Sequence, residues 1–101
     1  MARLDILENS AVVLPEGDIV ASTVPLLKEK LKEAIETGLS DLTVDMSGIR
    51  MIDSIGIAVL IATQNTLEGR SGKLKLANVD AEIFSLMKLM RLDQHMEIFA
   101  A

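Results

Sequence analysis

The chain has 101 residues, enough for one domain and too few for two, so residues 1–101 read as a single unit. It has no cysteine and one histidine, which excludes thiol catalysis, disulfides and thiolate or histidine-rich metal sites. With 10 basic and 15 acidic residues its formal charge is −5, which argues against nucleic-acid binding and points to a protein partner.

Half of the residues are hydrophobic, but Phe84 and Phe99 are the only aromatics, so the core must be aliphatic, with six methionines to fill irregular gaps. The first ten residues, "MARLDILENS", carry no secretory pattern. The longest apolar run, "IGIAVLIA" at 55–62, is too short to cross a bilayer. The expectation is a cytoplasmic protein with no membrane insertion.

"LDIL" and "AVVLP", separated by the polar "ENS", predict an N-terminal β-hairpin. In "EGDIV", Gly17 offers a bend, and Ile19 and Val20 continue an extended stretch. Val24, Leu27, Leu31, Ala34 and Ile35 then recur at helical spacing. Ser22 or Thr23 is placed to cap this helix, Pro25 suits its first turn, and Gly38 ends it. Lys28, Glu29, Lys32, Glu33 and Glu36 form its wetted side.

"LTVDM" at 42–46 predicts a strand ending in Asp45, whose carboxylate would serve the "SGI" turn. A second helix runs from 55 to about 68 and closes at Gly69. The "GRSGK" that follows is a surface turn, because it joins a helix to a strand, the reverse of a phosphate loop. "KLKLANV" at 73–79 alternates wet and apolar residues as a strand does. Asp80 caps a third helix through about Met90, and the tail "LDQHMEIFAA" adds a connection and a last helical or strand-like piece. The order β-β-α-β-α-β-α predicts an α/β fold, a single mixed β-sheet with helices largely on one side.

The second helix opens with residues that are apolar on every side, which requires burial on two sides. One reading packs it against the third helix; the other leaves an apolar patch for a partner. Directly before it stands "MIDSIG" at 51–56. Ser54 there has two readings. As a cap it would stabilise the helix by about 1 kcal/mol. As a phosphate carrier it would place about two negative charges at a helix N-terminus that tolerates them, beside a surface that a partner must desolvate. Ser54, His95 and Asp53 could be named as a triad, but no nucleophile elbow is present, and no catalytic residue is assigned.

The stretch "LTVDMSGIRMIDSIGIAVLI", with "EGDIVASTVPLL", "LKLANV" and "LMRLDQHMEIF" in order around it, resembles the STAS domains, the family of bacterial anti-sigma factor antagonists. The likeness covers nearly the whole chain. It implies a mixed sheet with helices largely on one side and a non-enzymatic binding protein without cofactor or metal. It implies transcription regulation by partner switching, in which the serine matching Ser54 is phosphorylated by an anti-sigma factor with serine kinase activity. A PP2C-type phosphatase restores the unphosphorylated form.

Asp53 and Gly56 match the loop around that serine, with Asp53 placed to orient its hydroxyl. Two positions depart from the pattern: Val20, where many kinase-regulated members carry Asp, and Ile55, where a second Ser or Thr is common. The expected partner surface is Met51, Ile55, Ile57, Ala58 and Ile61, with Met87 and Met90 at its edge. The alternative is a constitutive structural subunit of a stress-signalling or lipid-transport assembly, in which Ser54 is only a helix cap.

Overall fold

A computed structural model describes residues 3–6 and 10–101, with the side chains of Asp5 and Ile6 excepted. In chain order it contains β1 (Arg3–Ile6), β2 (Ser10–Leu14), α1 (Val24–Glu36), β3 (Asp41–Asp45), α2 (Ser54–Glu68), β4 (Lys73–Val79), α3 (Ala81–Leu89), a 3₁₀ turn (Leu92–Gln94) and β5 (Glu97–Ala100). The tail thus supplies both a helical turn and a fifth strand. The turn expected between the first two strands lies mostly outside the described residues.

The strands lie in one sheet in sequence order, β1 antiparallel to β2 and the rest parallel. Period-two alternation decides which way the sheet faces. Ala11 is level with Leu42 and Leu42 with Leu74, and Val13 with Val44 and Val44 with Leu76. All six are fully buried, so the helices cover this face. Their neighbours Val12, Thr43 and Lys75 are only half-buried on the opposite face, where Lys75 pairs with Glu97 at 3.9 Å. The mixed sheet with helices on one side is as expected.

Val24, Leu27, Leu31 and Ala34 turn the buried face of α1 toward the sheet. Pro25 lies in the first turn, and Gly38 takes φ +82°, the left-handed stop a glycine permits. Thr23 occupies the N-cap position without capping. Its hydroxyl donates to the Asp18 carbonyl at 2.6 Å and accepts the Val20 N–H at 3.0 Å. Val20 therefore starts a turn rather than extending a strand.

α2 packs against α1 and β4, while α3 packs against β5 and the 3₁₀ turn. The expected pairing of α2 with α3 is replaced by a pairing of α2 with α1. The parallel crossovers set this arrangement, because they lay α1 and α2 beside one another over the central strands. Asn78 takes φ 56°, where the β4–β5 register slips between Leu76 and Val79. The turn after α2 brings Gly72 so close to the Ser40 carbonyl that a Cβ would clash.

One core side chain is imperfectly matched. Gln64, on α2, accepts the Leu74 N–H at 2.8 Å, but its buried Nε2 has no partner among the described residues.

Candidate functional site

The site forms where two loops meet, the 17–23 segment entering α1 and the 46–53 segment entering α2. A single parallel bridge joins Ile19 to Ile52, with Ile19 N–H to the Met51 carbonyl at 3.0 Å and Asp53 N–H to the Ile19 carbonyl at 3.2 Å. Two carboxylates reinforce it in opposite directions. Asp18 Oδ1 accepts the N–H groups of Arg50 (2.8 Å) and Met51 (3.0 Å). Asp53 Oδ2 accepts the N–H of Ala21 at 2.8 Å. Arg50 adds an exposed ion pair to Asp80 at 3.2 Å, linking this loop to the start of α3.

Asp53, not Ser54, caps α2. Its backbone is extended, at φ −103° and ψ −178°, and Oδ1 accepts the Gly56 N–H at 2.8 Å. The N–H groups of Gly56 and Ala21 hold its carboxyl below the usual aspartate pKa. Both oxygens are thereby bound to backbone, and neither holds the Ser54 hydroxyl. The orienting role expected of Asp53 is corrected: it fixes the loop and leaves the serine alone. Nor does Asp53 bond an imidazole; His95 is exposed at the far end of the 3₁₀ turn.

Ser54 is the first residue of α2. It is exposed, and its hydroxyl makes no hydrogen bond to any described residue. Gly56 has a packing reason. A Cβ there would stand 2.5 Å from the Ile19 carbonyl oxygen and 2.7 Å from its Cγ2, so only glycine lets α2 start against the Ile19 strand. The first turn is therefore covered at Gly56 and open at Ser54.

The expected partner surface divides in two. Met51 (60% exposed), Ile55 (49%), Ala58, Ile61 and Met90 reach solvent. Ile57 and Met87 do not: at 7% and 0% exposure they belong to the core. Ile57 lies on the side of α2 turned to the sheet, one turn before fully buried Leu60, and Met87 shares the buried side of α3 with Ile83. Both are withdrawn from the surface. An apolar helix start does not reveal which of its sides faces inward.

Between α1 and α2 runs a groove of about 660 Å³, with Ser54 at one end. Ile55, Ala58 and Ala62 line it from α2, and Val24, Leu31 and Ile35 from α1. Thr63 and Thr66 also line it, their hydroxyls bonded to the helix carbonyls of Val59 and Ala62 at 2.8 and 3.1 Å. The charged side chains on its border are Lys28 and Lys32.

Asp45 acts as the turn acceptor expected of it, receiving the Ser47 N–H at 3.0 Å and the Asn78 amide at 3.1 Å. The Ser47 contact is the main cause of its lowered pKa; partial burial opposes it and Asn78 assists. Sequence reasoning overlooked Asp18, and it gave Thr23 only a capping role. The signal was the acid after the glycine in "EGDIV", but its partners lie more than 30 residues away.

Residues 2–99 match the family model described as Mlab, STAS domain. No curated protein matches the chain by sequence. Among solved structures it is similar to an anti-sigma factor antagonist from Mycobacterium paratuberculosis, with 20% identity, TM-score 0.86, and 100% of this chain and 86% of that one covered. It is also similar to the anti-sigma factor antagonist SpoIIAA in its unphosphorylated form, at 16% identity and TM-score 0.78, covering 100% and 89%. The phosphorylated form of SpoIIAA, from Bacillus, matches at 18% identity and TM-score 0.75, covering 97% and 90%. At these identities the structural likenesses establish the fold.

Proposed function

Because the chain belongs to the STAS-domain family, we propose that it is a regulatory binding module, one domain over residues 1–101, whose docking is switched by reversible phosphorylation of Ser54. The partner is an anti-sigma factor with serine kinase activity, the phosphate is removed by a PP2C-type phosphatase, and the output is transcription regulation in the cytoplasm. The chain itself performs no catalysis. Among the described residues, no three His, Cys, Asp or Glu side chains gather as a metal would need, and no helix is long and apolar enough to cross a membrane.

One observation carries the reading: Ser54 is exposed and unbonded, while its neighbour Asp53 does the capping. A hydroxyl that is not needed for the helix is available to a kinase. The N-terminal end of α2 stabilises an added anion, and phosphorylation adds about −2 of charge next to the exposed Met51 and Ile55. An apolar partner surface that covers those residues would have to bury that charge unpaired.

The alternative, a fixed structural subunit in which Ser54 is only a cap, loses its main support, since Asp53 is the cap. The test is a pull-down from native-host lysate with wild type, Ser54→Ala and Ser54→Asp as baits, each checked for folding by circular dichroism. The switch predicts that Ser54→Ala retains a kinase-like protein and Ser54→Asp loses it. Equal retention by all three baits contradicts it.

A further inference from the structure

The groove between α1 and α2 has a border charge opposite to that of the chain. The protein carries a net charge of −5, and α1 bears Glu29, Glu33 and Glu36, yet the charged side chains at the groove are Lys28 and Lys32. Lys32 stands 4.0 Å from Glu36, both well exposed, whereas Lys28 has no ion-pair partner among the described residues.

Apart from the Ser54 hydroxyl at its end, the lining presents no unsatisfied hydroxyl. Its aliphatic side chains are joined by two threonines whose hydroxyls are already bonded within α2. At a rise of about 1.5 Å per residue, the lining stretches from Val24 to Ile35 and from Ser54 to Thr66 run about 16 and 18 Å. That length matches three turns of a helix, and the small Ala58 and Ala62 permit a close approach of its backbone.

We infer that this groove receives an acidic amphipathic helix of the partner, its apolar anchors lying between α1 and α2 and its carboxylates meeting Lys28 and Lys32. The inference rests on the proposed role of Ser54 only for its switching half. Ser54 lies at the end of the same groove, so a phosphate there places negative charge where an acidic helix must lie. Release then follows from like-charge repulsion as well as from desolvation.

The test is selection of helical peptides from a phage-displayed library on the full-length chain, after depletion on Ala58→Arg. This substitution fills the groove from an exposed helix position, and circular dichroism verifies its fold. The expected survivors carry apolar residues at i, i+3, i+4 and i+7 flanked by Asp or Glu. They shift the amide signals of Ala58, Ala62 and Thr66, and they bind the Lys28→Glu/Lys32→Glu variant roughly tenfold more weakly.

Survivors with basic flanks, shifts confined to another face, or no enrichment over Ala58→Arg overturn the proposal. A dimer that Ala58→Arg dissociates, or dodecanoate shifting these signals where no peptide does, also overturns it. The Ser54→Asp arm separates the two ideas. Groove-bound acidic peptides that ignore this substitution leave the docking site standing and remove the switch. Loss of the native partner on Ser54→Asp without any groove-binding peptide does the opposite.

Discussion

Asp53 Oδ2 accepts the backbone N–H of Ala21 at 2.8 Å, across 32 positions of sequence. With its other oxygen on Gly56 N–H, one carboxylate both starts α2 and ties it to the loop that starts α1. Asp18 returns the connection through Arg50 and Met51 N–H. The loop before Ser54 is thus held by groups other than Ser54, and a modification there need not disturb the fold.

Ser54→Ala should therefore leave stability within about 0.5 kcal/mol of wild type in urea denaturation, as exposed positions without a structural role do. Asp53→Ala should lower the urea midpoint clearly, because it removes the cap and the tie to Ala21 together. A large loss for Ser54→Ala would restore the serine as a cap.

Gly56→Ala should cost about 1–3 kcal/mol, since its methyl would press on the Ile19 backbone, which has little freedom to retreat. The strain falls on the bridge between the two loops. Protection of the Ile19 and Asp53 amides from hydrogen exchange should drop first, before that of the β3–β4 core.

Acid should weaken the fold in a defined window. Asp53 and Asp45 both have folded pKa values lowered from about 3.8 by backbone N–H donors. Their contribution is complete above the unfolded value and is lost as pH falls below about 4 through the folded values. Urea midpoints measured at decreasing pH should fall in that range, and the Asp45→Asn/Asp53→Asn double variant should show a shallower decline.

Gln64→Met should destabilise by about 1–3 kcal/mol, because the buried Leu74 N–H loses its acceptor. Removing the unpartnered Nε2 offsets part of this cost. Calorimetric melting of the two proteins measures the balance.

The mixed sheet, its first four strands and the helix that follows the serine were legible because strand alternation and helical spacing are local signals. The pairing register was not, because it joins segments far apart in the chain. Asp53 and Ser54 were harder to separate. Both residue types cap well, and a boundary moved by one position exchanges their roles. Ile57 and Met87 were misplaced for another reason: uniform hydrophobicity carries no direction, and only the position of α1 and the sheet decides which side is inside. The Asp18 and Asp53 bonds join segments that meet only after folding, and no spacing along the chain encodes them.

The most direct test of the central claim is intact-mass and fragmentation mass spectrometry of the chain isolated from its native host in growth and in stress. The account predicts a fraction carrying one phosphate, located on Ser54, that changes between the two conditions. A chain unmodified at Ser54 in both, or phosphorylated only at another residue, would contradict it.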